Sequence, residues 1–163
     1  MNLFRKTLWG IVALSVVADC GSFFAQYVMK LEPCVLCILQ RLSVMAVGVV
    51  ALLVACNRQA SKTARTVSAL LISIPAVYGF GVAVYQIWLQ SLPAGTAPSC
   101  GAPWTFRLRD WPLFEYWEFV VRGFGSCDVP SYVLGVPLPI WSVLYFGFVL
   151  IVVWTMWVKT RKL

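Results

Sequence analysis

Cys34 and Cys37 are separated by two residues in a chain of 163 residues that holds six cysteines and no histidine. That spacing suits a reversible dithiol and disulfide pair, and it also occurs in metal sites, so position has to discriminate. Pro33 directly precedes the pair and suits the first turn of a helix, where its missing N–H would be unpaired anyway. At a helix N-terminus, free N–H groups and the helix dipole stabilise a thiolate, the reactive form of cysteine. Arg41 follows Cys37 by four residues, on nearly the same helix face. A positive charge beside a lipid boundary is costly unless it is used. Arg41 either steadies the Cys37 thiolate and negative charge growing on a nearby electron acceptor, or snorkels to the interface as an anchor.

The other four cysteines divide by position. Cys20 and Cys56 fall within or at the end of apolar runs and read as small buried apolar side chains. Cys100 and Cys127 fall in a long Pro/Gly-rich segment of mixed charge on the same side as Cys34 and Cys37, where disulfides persist if that side is oxidising. Three readings remain: a structural staple in the loop, a four-cysteine zinc site lacking the short spacing in its second half, and a relay in which a thiolate of one pair attacks the disulfide of the other. A relay needs a terminal acceptor. The chain has no haem ligands, no cluster-type cysteine set and no nucleotide-binding glycine motif, which points to a lipid-soluble quinone.

The elements that must hold these residues are membrane helices. Hydrophobic residues make up 61% of the chain and charged residues 12%, against about 25% charged in a soluble domain. The mean hydropathy is +0.83. Apolar runs mark four spans, about 8–27, 38–56, 67–90 and 140–158, each close to the roughly 20 residues a helix needs to cross a bilayer. The first is too long for a cleaved signal peptide, and Asp19 spoils a faint lipoprotein-like site at 17–20. The expected fold is an all-α membrane protein, a single-domain four-transmembrane-helix bundle over 1–163 with loops at about 28–37 and 91–139.

Charge gives the orientation. Arg5 and Lys6, then Arg58, Lys62 and Arg65, then Lys159, Arg161 and Lys162 flank the spans with no acid among them, which predicts cytoplasmic termini and a cytoplasmic central loop. The long loop balances Arg107, Arg109 and Arg122 against Asp110, Glu115, Glu118 and Asp128 and faces outward. Within it, Leu113, Phe114, Trp117, Val120 and Val121 recur at helical spacing, the pattern of a short interfacial helix or of ordinary loop packing. The net charge of +7 is accounted for by these flanks, so no nucleic-acid partner is expected. Asp19, an acid inside the first span, is either a proton conduit or a hydrogen-bond partner for a neighbouring helix.

Four segments carry a family resemblance: Leu31-Glu32-Pro33-Cys34-Val35-Leu36-Cys37-Ile38 followed by Gln40-Arg41, Pro98-Ser99-Cys100, Gly125-Ser126-Cys127, and Pro137 to Trp141. Through them, and over nearly its whole length, the chain resembles the DsbB family of bacterial inner-membrane disulfide-bond oxidoreductases. The resemblance implies a quinone-dependent protein thiol:disulfide oxidoreductase in the inner membrane, with its long loop and redox cysteines periplasmic. It implies that a Cys100–Cys127 disulfide reoxidises the periplasmic dithiol protein DsbA, with Cys100 forming the mixed disulfide. Cys127 would then exchange with Cys34, and Cys37 would stand next to the quinone, assisted by Arg41. Ubiquinone is the implied acceptor and menaquinone the alternative. That such a system keeps the periplasm oxidising is known of the family in general and comes from no residue of this chain. For a two-electron couple about 30 mV is worth about 1.4 kcal/mol, so a strongly oxidising client requires the quinone as its sink.

Some family members carry a histidine late in the third span, whereas this chain has Tyr85-Gln86-Ile87-Trp88. Gln86 either substitutes as a donor to the quinone or satisfies backbone groups. Two other functions remain open: a related thiol oxidoreductase with one dedicated partner or a vitamin K epoxide reductase-like circuit, and a non-catalytic membrane protein with a stapled loop. The last explains Arg41 beside Cys37 worst.

Overall fold

The computed structural model describes residues 3–57, 61–93 and 95–161, with Arg161 described by its backbone alone. Arg58 and Lys162, two of the charges used for orientation, lie outside the described residues. Four long helices dominate: α1 (Leu3–Tyr27), α2 (Val35–Cys56), α3 (Lys62–Gln90) and, closing the chain, α6 (Leu138–Arg161). Each is long and apolar enough to cross a membrane, with mean hydropathy between 1.7 and 2.2 over its most apolar window. The segment between α3 and α6 carries α4 (Trp104–Arg107), α5 (Phe114–Val121) and a two-stranded antiparallel hairpin, β1 (Tyr132–Val133) with β2 (Val136–Pro137).

The long helices form a ring in which α2 packs on α1 and α3, and α6 packs on α3 and, less extensively, on α1. Their shared interior is Leu8 and Ile11 from α1, Val47 and Ala51 from α2, Ala69, Ile72 and Ala76 from α3, and Phe146, Val149 and Val153 from α6. Small residues let the backbones approach, which drives helix association where lipid is as apolar as the side chains. The Phe146 ring occupies the space that a Cβ on Gly79 would need. Large apolar side chains such as Val17, Leu53, Ile74 and Ile151 point out of the bundle. Such a surface suits a lipid solvent and no other.

Helices α1 and α3 begin before their apolar runs do, because a polar first turn still propagates a helix. Ser61 caps α3, its Oγ accepting from Ala64 N at 3.0 Å, so α3 opens on Lys62 rather than at the first apolar residue. At α2 the cap is Cys34 itself, which places Pro33 before the cap and outside the first turn expected for it. Helix α5 covers most of the spaced apolar residues in the loop, with Leu113 in the left-handed region at its N-cap. Helix α4 and the hairpin, whose turn places Leu134 and Gly135 at positive φ, are too short to show any period in sequence.

Two cysteine assignments are corrected. Cys20 and Cys56 are exposed on the outside of the bundle rather than buried within it. In α1 the buried stripe runs Phe4, Leu8, Ile11, Ser15, and in α2 it includes Val47, Ala51, Val54 and Ala55; neither phase includes these cysteines.

Candidate functional site

Cys34 closes the N-terminus of α2 in an extended conformation, its Sγ accepting from Cys37 N at 3.2 Å. The two sulfurs lie 2.7 Å apart, and Cys34 is buried. Its hydrogen bond with Cys37 and, secondly, burial push the Cys34 thiol well up from the ordinary cysteine range.

Gln86 of α3 completes this cluster. Its Nε2 donates to both Cys34 Sγ and Cys37 Sγ at 3.2 Å, while its Oε1 accepts from Gln40 Nε2 at 2.6 Å. Gln86 and Gln40 are 1% and 4% exposed, so this side chain is neither a lipid-boundary group nor a partner for free backbone atoms, as the sequence had left open. The clue was available in phase: Ala76, Gly79, Ala83 and Gln86 make one buried stripe of α3, which turns Gln86 towards α2. A buried amide that must be satisfied, with its oxygen held by a second amide, presents its N–H groups to the sulfurs.

Arg41 is buried rather than snorkelling. Its Nε donates to Ser22 Oγ at 2.9 Å and its Nη1 to Gln26 Oε1 at 2.6 Å, both on α1, and Nη1 also reaches Val120 O of α5 at 3.2 Å. The guanidinium lies over the Phe23 ring, 4.5 Å from its centroid. These donors are therefore directed to α1 and α5, not to the Cys37 sulfur. Helix α5 is held to the same end of α1 by Tyr27 Oη, which donates to Phe119 O, and by Gln26 Nε2, which donates to Arg122 O, both at 2.8 Å.

Cys37 and Arg41 share a cavity of about 780 Å³ between α1, α2, the hairpin and the start of α6. Leu14, Val44, Leu138, Trp141 and Phe148 supply apolar walls, while Gln40, Asp19 and Tyr145 add sparse polar groups. Asp19 Oδ1 is buried there without a hydrogen-bond partner, so no neighbouring helix satisfies that oxygen. Tyr145 Oη stands 2.6 Å from Ser15 Oγ, and Ser15 itself donates to Ile11 O, so the tyrosine is the donor of the first bond. An apolar cavity with a few convergent polar groups has the composition of a small-molecule site.

The second cysteine pair packs in one cluster with Cys34, against which Cys37 also rests. Cys100 and Cys127 form a disulfide with Cα atoms 6.3 Å apart, closing 27 residues of sequence. Cys127 is buried in one cluster with Cys34, Val35, Leu36 and Leu89. Gly125 N donates to Pro33 O at 3.2 Å, and Gly125 pairs with Cys34 as an isolated parallel bridge. Trp104 Nε1 donates to Val35 O at 3.2 Å, which fastens α4 over the first turn of α2. All four cysteines thus gather at the end of the bundle that carries the long loop. No group of three or more His, Cys, Asp or Glu residues is arranged for a metal among the described residues.

A family model described as "Disulfide bond formation protein DsbB" matches residues 5–156. Among similar proteins, one from Neisseria meningitidis serogroup A named "Disulfide bond formation protein B" is 57% identical over 159 residues, covering 98% of each chain. One of the same name from Chromobacterium violaceum is 39% identical over 164 residues, covering 99% of this chain and 97% of its own. Another from Acinetobacter baylyi is 36% identical over 146 residues, covering 88% and 85%.

Proposed function

The chain belongs to the DsbB family of disulfide bond formation proteins, and from that premise we propose that it reoxidises a DsbA-like periplasmic dithiol protein and passes two electrons to a membrane quinone. The coarser part, a multi-pass membrane protein of disulfide formation, follows from the family and the four apolar helices. In the finer part, the protein is one domain in the bacterial inner membrane, with both termini cytoplasmic and the cysteine end periplasmic. The flanking basic residues support that orientation.

One observation carries the reading: Cys34 is buried against the loop disulfide while Cys37, one turn away, edges the apolar cavity. Cys34, Cys37, Cys100 and Cys127 are the catalytic residues, and Cys37 with Arg41 lines the quinone site. The client thiolate attacks Cys100 Sγ, and the client's second thiol resolves the mixed disulfide, leaving Cys100 and Cys127 reduced. Cys127 then attacks Cys34 Sγ of the oxidised Cys34–Cys37 pair, and Cys37 leaves as a thiolate. Cys100 closes on Cys127, which restores the loop disulfide and leaves the α2 pair reduced. The helix N-terminus and the Gln86 amide stabilise the departing Cys37 sulfur. Ser22 and Gln26 hold the Arg41 charge at the cavity wall. A quinone bound in the cavity supplies the two-electron sink, ubiquinone in aerobic cells and menaquinone otherwise.

The test is to mix the purified protein with reduced DsbA and ubiquinone and follow quinol formation together with the client's redox state. Turnover of both is expected. Quinone reduction by a small dithiol without oxidation of DsbA would favour a dedicated partner instead, and absence of any turnover would overturn the enzyme.

A further inference from the structure

Cys127 reaches the α2 pair by a backbone fit. The segment Gly123-Phe124-Gly125-Ser126-Cys127 runs beside Glu32, Pro33 and Cys34, and glycines two apart in an extended segment present the same face. That face is closed by backbone. A Cβ on Gly125 would overlap the Glu32 carbonyl oxygen and lie 3.1 Å from the Glu32 carbonyl carbon and 3.2 Å from Cys34 N. A Cβ on Gly123 would overlap the Pro33 carbonyl oxygen, 2.7 Å from Pro33 Cγ and 3.1 Å from its carbonyl carbon. The two glycines do not occupy the positive-φ region, so they serve space rather than an unusual conformation. The obstructing atoms are backbone and proline ring at the entry to α2 and cannot swing aside like a side-chain tip. Gly125 N donates to Pro33 O at 3.2 Å, and two residues later Cys127 is buried in the cluster that contains Cys34.

We propose that Gly123 and Gly125 form a docking track whose close backbone contact with Glu32–Cys34 positions Cys127 for attack on Cys34. The proposal rests on the relay reading. The step balances within the chain: the Cys127 thiolate forms an S–S bond with Cys34 as the Cys34–Cys37 bond breaks, then Cys100 forms its bond with Cys127 as the Cys34–Cys127 bond breaks. Two electrons pass to the α2 pair, and the two protons of the loop thiols end on Cys34 and Cys37. The glycines touch no reacting sulfur, so they are positioning residues. Substituting them should slow exchange between the pairs while sparing each pair's own chemistry.

The experiment uses the full chain with Cys37→Ser and Cys100→Ser, which leaves Cys34 and Cys127 to form the inter-pair disulfide on mild oxidation. The product is trapped by alkylation and read on a non-reducing gel. Gly125→Ala and Gly123→Ala should each slow it at least tenfold. Gly81→Ala, whose Cβ meets open space, should leave it unchanged. In a separate Cys100→Ser/Cys127→Ser background, ubiquinone reduction by a small dithiol runs through Cys34 and Cys37 alone, and Gly125→Ala should leave that rate within twofold. Equal rates of inter-pair disulfide formation with and without the glycines would overturn the docking track. Loss of the small-dithiol reaction would also overturn it, because the glycines would then support the α2 pair itself. Failure of the disulfide to form with both glycines intact would overturn the relay, and the track with it.

Discussion

The two halves of the bundle are built from different materials. Away from the loop, the interior is Val47, Ala51, Ala69, Ile72, Ala76, Phe146, Val149 and Val153, with hydroxyl, indole and arginine bonds such as Trp157 Nε1 to Thr66 Oγ1 between the helices. Towards the loop, the buried positions include Gln40, Gln86 and Arg41, each with side-chain partners on another helix. Buried amide and guanidinium groups cost several kcal/mol in an apolar medium when unpaired, so the placing of Gln40, Gln86 and Arg41 in one half is not a packing solution. That half holds the two clustered cysteine pairs, and the other half holds the larger apolar core.

This division predicts separable effects of substitution. The largest falls in the apolar half: Phe146→Ala removes a fully buried ring and should lower stability by about 3 kcal/mol. Unfolding in detergent reads that loss, while folded protein keeps its rate of quinone reduction. Across the boundary, Gln86→Leu should slow quinone reduction about tenfold, or about 1.4 kcal/mol, by removing the N–H groups aimed at both sulfurs. Slower alkylation of the reduced Cys34/Cys37 pair by iodoacetamide, with the unfolding temperature little changed, distinguishes this from a packing defect. Arg41→Lys keeps the charge but loses the forked contact with Ser22 and Gln26, and a severalfold rise in KM for quinone is expected from steady-state kinetics. The smallest effects are those of Cys20→Ser and Cys56→Ser, on the outer surface, where rates within twofold of the parent are expected. Loss of activity in either would mean that the outside of the bundle takes part in the chemistry.

Much of this plan was legible in the order of residues, because apolar runs and their basic flanks report directly on a lipid solvent. The four spans and the loop helix follow from period and composition. What stayed hidden depends on contacts between helices. Gln86 and Gln40 are ambiguous one at a time and become informative only when the phases of α2 and α3 bring them within 2.6 Å. Arg41 showed its proximity to Cys37 but not its partners, since Ser22 and Gln26 lie on a different helix. Cys20 and Cys56 were misread because burial of cysteine is a habit of soluble cores, whereas here an apolar side chain is equally at home on the outer surface.

The proposed route has electrons enter at Cys100–Cys127 and leave at Cys37, one helix turn from Cys34. Its most direct measurement is the count of ubiquinol formed per client disulfide in the parent protein and in Cys37→Ser. The account predicts one quinol per disulfide in the parent, and none in the variant, which should still exchange its loop disulfide with the client in a single turnover. Continued quinol formation by Cys37→Ser would contradict it.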